Sequence, residues 1–209
     1  MRAPRRPEAA AAPQVARASK GGQVRIIGGH WKRTPIAVAE VPGLRPTPDR
    51  VRETLFNWLG QDLTGWRVLD LFAGTGALGL EAASRGAAQV TLVERDVRDV
   101  KALQTVCERL QAHQVVCVQA DARQWLARSD TARFDLIFLD PPFGVAELTA
   151  CLPQAAARLS EQGLLYLEWG EPLSMSLAPL ADCAALAGFE LHRQGRAGQV
   201  HYHLLRRAP

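Results

Sequence analysis

The chain has 209 residues, 47% hydrophobic and 22% charged, with a net charge of +4, a composition that supports one well-buried domain and excludes a wholly disordered chain. Its most apolar runs, Val68 to Ala73 and Leu136 to Leu139, are cut short by Asp70, Asp135 and Asp140, far from the roughly 18 to 20 apolar residues that span a bilayer. Cys107, Cys117, Cys151 and Cys183 form no C-x-x-C pair, which suggests neither a zinc site nor a disulfide framework and fits a reducing, cytoplasmic compartment.

Residues 1–21 are rich in Ala, Pro and Arg and lack apolar periodicity, so they are expected to be a disordered basic leader. They contain no apolar stretch of the length a secretory signal needs. Residues 1–34 carry eight Lys or Arg against Glu8 alone, a balance of +7, while the remainder carries −3. Such an arm fits a polyanionic partner or a solubilising tail.

Residues 22–46 read as an N-terminal β-ribbon, with Val24 to Ile27 and Ile36 to Ala39 flanking Gly28-Gly29 and Pro35. Residues 47–209 read as the main domain. Thr47-Pro48-Asp49 predicts an N-cap, a proline at the first helical position and an acid in the first turn. That helix should reach Leu59, burying Val51, Leu55, Trp58 and Leu59. Strands follow at Arg67 to Phe72, Val90 to Glu94, Val115 to Gln119, Phe134 to Leu139 and Leu164 to Glu168. Helices at Ala77 to Arg85, Asp96 to Gln111, Ala122 to Arg128 and Glu147 to Leu159 alternate with them, the last interrupted near Pro153. Phe189 to Arg193 and Val200 to Arg206, joined through Gly195 to Gly198, close the chain as a hairpin. The predicted fold is α/β and Rossmann-like: a mostly parallel sheet covered on both faces, ending in an antiparallel hairpin.

Gly74-x-Gly76-x-x-Gly79 follows the first strand of that sheet, and Glu94 ends the second. The glycines permit a tight turn and close approach of a ligand to a helix N-terminus, and the carboxylate can accept hydrogen bonds from two ribose hydroxyls. A nicotinamide dinucleotide and S-adenosyl-L-methionine both suit such a crevice. Asp70, just ahead of the glycines, favours the second, because an acid repels a pyrophosphate and attracts an ammonium or a sulfonium. Asp121, after the third strand, is either an acceptor for the adenine amine or a helix N-cap.

Asp140-Pro141-Pro142-Phe143 ends the fourth strand of the sheet. An exocyclic base amine is a poor nucleophile because its lone pair is shared with the ring. The Asp140 carboxylate and the Pro141 carbonyl, stiffened by two prolines, can accept its hydrogen bonds and aim that lone pair, and Phe143 can stack on a flipped base. Arg25, Trp31, Lys32 and Arg33 form a candidate nucleic-acid-binding patch on the ribbon, in which Trp31 either stacks on a base or anchors the ribbon. His201 and His203 alternate along one strand with no third ligand indicated, so they are expected to be surface or edge-strand residues and no metal is expected. Trp58, Trp66, Trp125 and Trp169 read as packing residues.

Arg25 to Gly29, Leu44 to Leu59 (LRPTPDRVRETLFNWL), Leu69 to Ala82, Asp140 to Phe143 and Gly198-Gln199-Val200-x-Tyr202 together resemble the bacterial 16S ribosomal RNA guanine-N2 methyltransferases (RsmD-like), nearly throughout from residue 22 onward. The resemblance implies a seven-stranded S-adenosylmethionine-dependent methyltransferase acting on the guanine labelled 966 in the small-subunit RNA, within the 30S particle. It implies that Gly74, Gly76, Glu94 and Asp121 line the cofactor and that Asp140 to Phe143 hold the base. The protein is expected to act as a monomer, without a membrane. Asp-Pro-Pro-Phe by itself does not separate guanine N2 from adenine N6, so an adenine-N6 methyltransferase of DNA or RNA is an alternative, as is a non-catalytic RNA-binding assembly factor.

Overall fold

The computed structural model describes residues 24–36, 47–128, 132–141, 145–169, 188–198 and 200–208. The leader, the second half of the predicted ribbon, Pro142, Phe143 and Cys183 lie outside them. Val24–Arg25 (β1) and Pro35–Ile36 (β2) pair antiparallel, with Val24 opposite Ile36. Then follow Asp49–Trp58 (α1), Arg67–Asp70 (β3), Ala77–Ser84 (α2), Gln89–Glu94 (β4), Val97–Leu110 (α3), Val115–Gln119 (β5) and Ala122–Leu126 (α4). Phe134–Leu139 (β6), Val145–Ala157 (α5), Leu159–Trp169 (β7), Phe189–Ala197 (β8) and Val200–Arg207 (β9) complete the order.

β3 to β9 form one sheet in the order β5-β4-β3-β6-β7-β9-β8. The first five pair in parallel, and β9 runs antiparallel to both β7 and β8. Strand order reverses between β3 and β6, so the carboxyl ends of these two strands border the crevice where ligands bind in open α/β sheets. Alternate residues feed opposite layers, which is why the strands read as nearly unbroken apolar runs. Val68, Val90, Leu92, Leu136, Phe138 and Tyr166 pack with Leu55 of α1, Leu80 of α2 and Leu103 of α3. Leu69, Val93, Ile137, Leu139, Leu165 and Leu167 pack with Trp125 of α4 and Leu152 of α5.

Several predicted details change. α1 is N-capped by Pro48 with no side-chain cap bond, because the Thr47 hydroxyl is drawn to carboxylates elsewhere in the fold. Its buried face includes Arg52 and Phe56, whereas Trp58 is only half-buried and stacks on Tyr202 at 5.3 Å. α5 continues through Pro153, and β7 starts at Leu159, with its register against β6 shifting between Phe134 and Leu136. β8 runs through Gly195 to Ala197, so the predicted loop is mostly strand. His203 is fully buried, not at a surface or edge, because β9 lies between β7 and β8; burial and the neighbouring His201 push its imidazole down to about 4. The Sγ atoms of Cys107 on α3 and Cys117 on β5 lie 3.8 Å apart as free thiols, a proximity invisible in their spacing along the chain.

The ribbon shares the main core through Val24, Ile26 and Ile36, and its turn is fastened to α2. The fully buried Glu81 carboxylate accepts the backbone N–H groups of Ile27 at 2.7 Å and Gly28 at 2.8 Å. It also faces Arg52 at 3.5 Å and Arg85 at 2.8 Å. The Ser84 hydroxyl accepts from the Trp31 N–H and donates to the Gly28 carbonyl. Gly29, at φ +72°, passes so close that a Cβ would lie 1.9 Å from the Ser84 carbonyl oxygen, so only glycine fits there.

Candidate active site

The chain leaves β3 at Asp70 and turns through the glycine loop into α2. Gly76, the N-cap of α2, adopts φ +77°, which favours glycine, and a Cβ there would also push against the end of the Leu103 side chain of α3 at 2.5 Å. The loop is tied to the end of β4 by Glu94. One carboxylate oxygen accepts the Gly74 N–H at 2.9 Å and the other accepts the Asp96 N–H at 2.8 Å. Each oxygen keeps a further lone-pair direction for a ligand hydroxyl.

Asp70 is 2% exposed, and its Oδ2 accepts the Gly79 N–H at 3.1 Å. Burial pushes this carboxyl up to about 7; the charge of Glu94 adds to the rise, while hydrogen bonds from Gly79 and Phe72 oppose it. Asp99, in the first turn of α3, joins the group without having been signalled by any motif. Burial and the charges of Glu94 and Asp96 raise its carboxyl as well. A small cleft is lined by Gly74 and Thr75 of the loop, Asp99, Leu103 and Val106 of α3 and Ile36 of the ribbon. Carboxylates from three elements around one glycine loop fit a ligand carrying positive charge and ribose hydroxyls, and would repel a pyrophosphate. These residues fit S-adenosyl-L-methionine. Asp121, after β5, caps α4 by accepting the N–H groups of Arg123 at 3.0 Å and Gln124 at 3.2 Å.

β6 runs beside β3, with Asp70 opposite Phe138, and delivers Asp140 and Pro141 to the same rim. Asp140 is half-buried. The Thr47 hydroxyl lies 3.4 Å from Asp140 Oδ2 and 3.2 Å from Glu168 Oε1, and the buried Tyr166 hydroxyl donates to Glu168 Oε1 at 2.8 Å. The Asp140 carboxyl is held well above the usual carboxylate range by burial, then by the negative charges of Glu168 and Asp70, against the Thr47 hydrogen bond. Burial raises Glu168 too, opposed by hydrogen bonds from Tyr166 and Thr47. Sequence reasoning missed Thr47 and Glu168 as site residues. The available signal was positional: Glu168 lies near the carboxyl end of a buried parallel strand, as Glu94 ends β4 and Asp140 follows β6.

On the ribbon, Lys32 and Arg33 are exposed. Arg25 is exposed too and pairs with Asp49 at 3.2 Å. Trp31 is half-buried and packs against the core, its ring edge-on to that of the adjacent, exposed His30 at 6.4 Å.

A parallel sheet of this strand order with an antiparallel final hairpin, a glycine loop after its first strand and an acid ending its second, is the S-adenosylmethionine-dependent methyltransferase fold. The ribosomal protein L11 methylase of Lactobacillus delbrueckii shares it, with a TM-score of 0.65 at 19% identity over 86% of this chain and 89% of that one. The chain belongs to the family described as Conserved hypothetical protein 95, whose model matches residues 24–206. It is 42% identical over 191 residues to Ribosomal RNA small subunit methyltransferase D of Escherichia coli, covering 90% of this chain and 92% of that relative. The solved structure of yhhF from Escherichia coli superposes with a TM-score of 0.76 at 40% identity, covering 90% of this chain and 99% of that one.

Proposed function

We propose that this protein methylates the exocyclic N2 of a guanine in 16S ribosomal RNA, the position labelled 966, using S-adenosyl-L-methionine and acting as a cytoplasmic monomer on the 30S subunit. The observation that carries the reading is the adjacency of β3 and β6. It supports an acid-ringed glycine loop and the Asp140-Pro141 acceptors working in one crevice. The relatives' action on small-subunit ribosomal RNA supports the substrate.

S-adenosyl-L-methionine supplies, when bound, a methyl group made electrophilic by its sulfonium. The chain's own residues do the rest. Glu94 holds the glycine loop and retains acceptor capacity for ribose. Asp70 offers a carboxylate to a positive charge. Asp140 and the Pro141 carbonyl accept the two N–H groups of the amine, turning its lone pair toward the methyl carbon. Pro142 and Phe143, outside the described residues, complete the base-holding motif in this reading. Among the described residues no helix is long and apolar enough to cross a membrane.

The test is methyl transfer from labelled S-adenosyl-L-methionine to unmodified 30S subunits, naked 16S RNA and duplex DNA. Label in the subunits or the RNA supports the reading. Label in DNA alone transfers the reaction to a different substrate, and label in none of them overturns the enzymatic reading.

A further inference from the structure

Asp140 and Glu168 stand near the carboxyl ends of the neighbouring strands β6 and β7, and a single hydroxyl lies between them. Thr47 Oγ1 is 3.4 Å from Asp140 Oδ2 and 3.2 Å from Glu168 Oε1. A hydroxyl has one proton to donate, so it satisfies both carboxyls only when one of them is protonated and donates back to it. Glu168 is the better-supported carboxylate, because Tyr166 also donates to Oε1 at 2.8 Å from a fully buried position. When Asp140 carries a proton, the consistent arrangement is Asp140 O–H to Thr47, Thr47 O–H to Glu168, and Tyr166 O–H to Glu168. Asp140 therefore faces Glu168 of β7 and Asp70 of β3, both acidic, and Tyr202 of β9 adds a further phenol beside Tyr166.

We propose that Glu168 is a positioning residue for Asp140: its charge, and the Thr47 hydroxyl that both carboxyls share, hold Asp140 in place and make it a stronger acceptor of the amine's proton. The inference rests on the role given to Asp140 above. As the amine nitrogen forms its bond to the methyl carbon, the carbon–sulfur bond breaks with its electron pair going to sulfur. The nitrogen then sheds one N–H proton to Asp140, which reacts from its ionised form, with Thr47 donating to Glu168. On taking the proton Asp140 returns to the arrangement in which it donates to Thr47. Asp140 later releases that proton to water, so Glu168 and Thr47 finish unchanged. A two-carboxyl arrangement of this kind titrates as a unit, and the raised positions of both Asp140 and Glu168 agree with it.

The test compares full-length wild type, Glu168→Gln, Thr47→Val and Thr47→Ser in kcat against pH. Cofactor affinity, thermal stability and the carbon-13 NMR titration of labelled aspartate carboxyls are measured alongside, with Asp140 assigned through Asp140→Asn. Glu168→Gln removes a negative charge that favours the protonated form of Asp140. The acidic limb and the Asp140 resonance should therefore both move to lower pH by about one unit, and plateau kcat should fall by roughly 10-fold. Thr47→Val should lower kcat on the order of 10- to 100-fold with cofactor affinity unchanged, and Thr47→Ser should restore it. A titration and pH limb identical to wild type in Glu168→Gln, or full kcat in Thr47→Val, overturns the proposal. If Glu168→Gln fails to fold, the Thr47 pair decides it. A wild type inactive on every RNA would instead overturn the proposed function, and the NMR titration would still decide whether Glu168 controls Asp140.

Discussion

The backbone N–H of Gly74 donates to the carboxylate of Glu94 at 2.9 Å, joining residues twenty apart in sequence at the ends of adjacent parallel strands. The acid expected to receive ribose hydroxyls thus also shapes the loop that must approach the cofactor. Glu94→Ala should weaken S-adenosyl-L-methionine binding by about 10- to 100-fold, the range for losing hydrogen bonds to a charged group. Glu94→Gln should lose less, since one oxygen acceptor survives. Calorimetric titration of both variants checks the order.

Asp140 contributes to turnover and not to cofactor affinity in this account. Asp140→Ala should abolish methyl transfer while S-adenosyl-L-methionine affinity stays within a few-fold of wild type. Equilibrium binding beside a single-turnover assay separates the two. Collapse of cofactor binding would reassign Asp140 to the cofactor pocket.

The sheet, its helices and the glycine loop were legible because each is a local pattern: a short apolar run, a helical period, a glycine spacing. Thr47 shows where such patterns stop. Thr-Pro-Asp is a sound helix start, yet the Thr47 hydroxyl serves Asp140 and Glu168, which lie 93 and 121 positions away, and Pro48 takes the N-cap. Arg52 was missed for a related reason. A charged residue on a short helix reads as solvated, but this one is enclosed by Asp49 at 2.6 Å, Glu81 at 3.5 Å and the Arg25 carbonyl at 2.9 Å. His203 read as an edge residue because strand order cannot be deduced from chain order, and β9 inserts between β7 and β8.

With Asp70 as a cofactor-binding carboxylate, cofactor affinity should depend on pH in a defined direction. Its folded-state carboxyl lies at about 7, raised from 3.8 chiefly by burial, and only the ionised form attracts a cation. Affinity for S-adenosylhomocysteine, whose amine stays protonated near neutrality, should rise as pH increases through about 7, and Asp70→Asn should flatten that rise. The ligand-free protein should show the opposite trend. Between about 4 and 7 the folded state holds a proton that the unfolded state has lost, so this group's contribution to stability falls as pH increases. Urea midpoints across that range measure it.

The buried Glu81 carboxylate fastens the ribbon's turn to α2, beside the Ser84 bonds and the core packing of Val24, Ile26 and Ile36. Glu81→Ala would take a buried partner from Arg85 and from Arg52, which keeps Asp49, and leave the Ile27 and Gly28 N–H groups without their acceptor. Breaking a buried pair from one side costs about 3–5 kcal/mol, which should appear as a lower urea midpoint. Arg25→Ala, which removes the exposed pair with Asp49, should cost under about 1 kcal/mol.

The basic leader predicts a salt effect. If residues 1–21 meet phosphates, their deletion should reduce the slope of RNA affinity against salt concentration. An unchanged slope would make them a spacer.

In the proposed reaction the Asp140 crevice methylates a guanine amine of small-subunit RNA. The most direct measurement is mass analysis of nucleosides from 30S subunits lacking the modification, after incubation with the protein and S-adenosyl-L-methionine. N2-methylguanosine is expected, and it should be lost with Asp140→Ala. N6-methyladenosine, or N2-methylguanosine formed equally by Asp140→Ala, would contradict it.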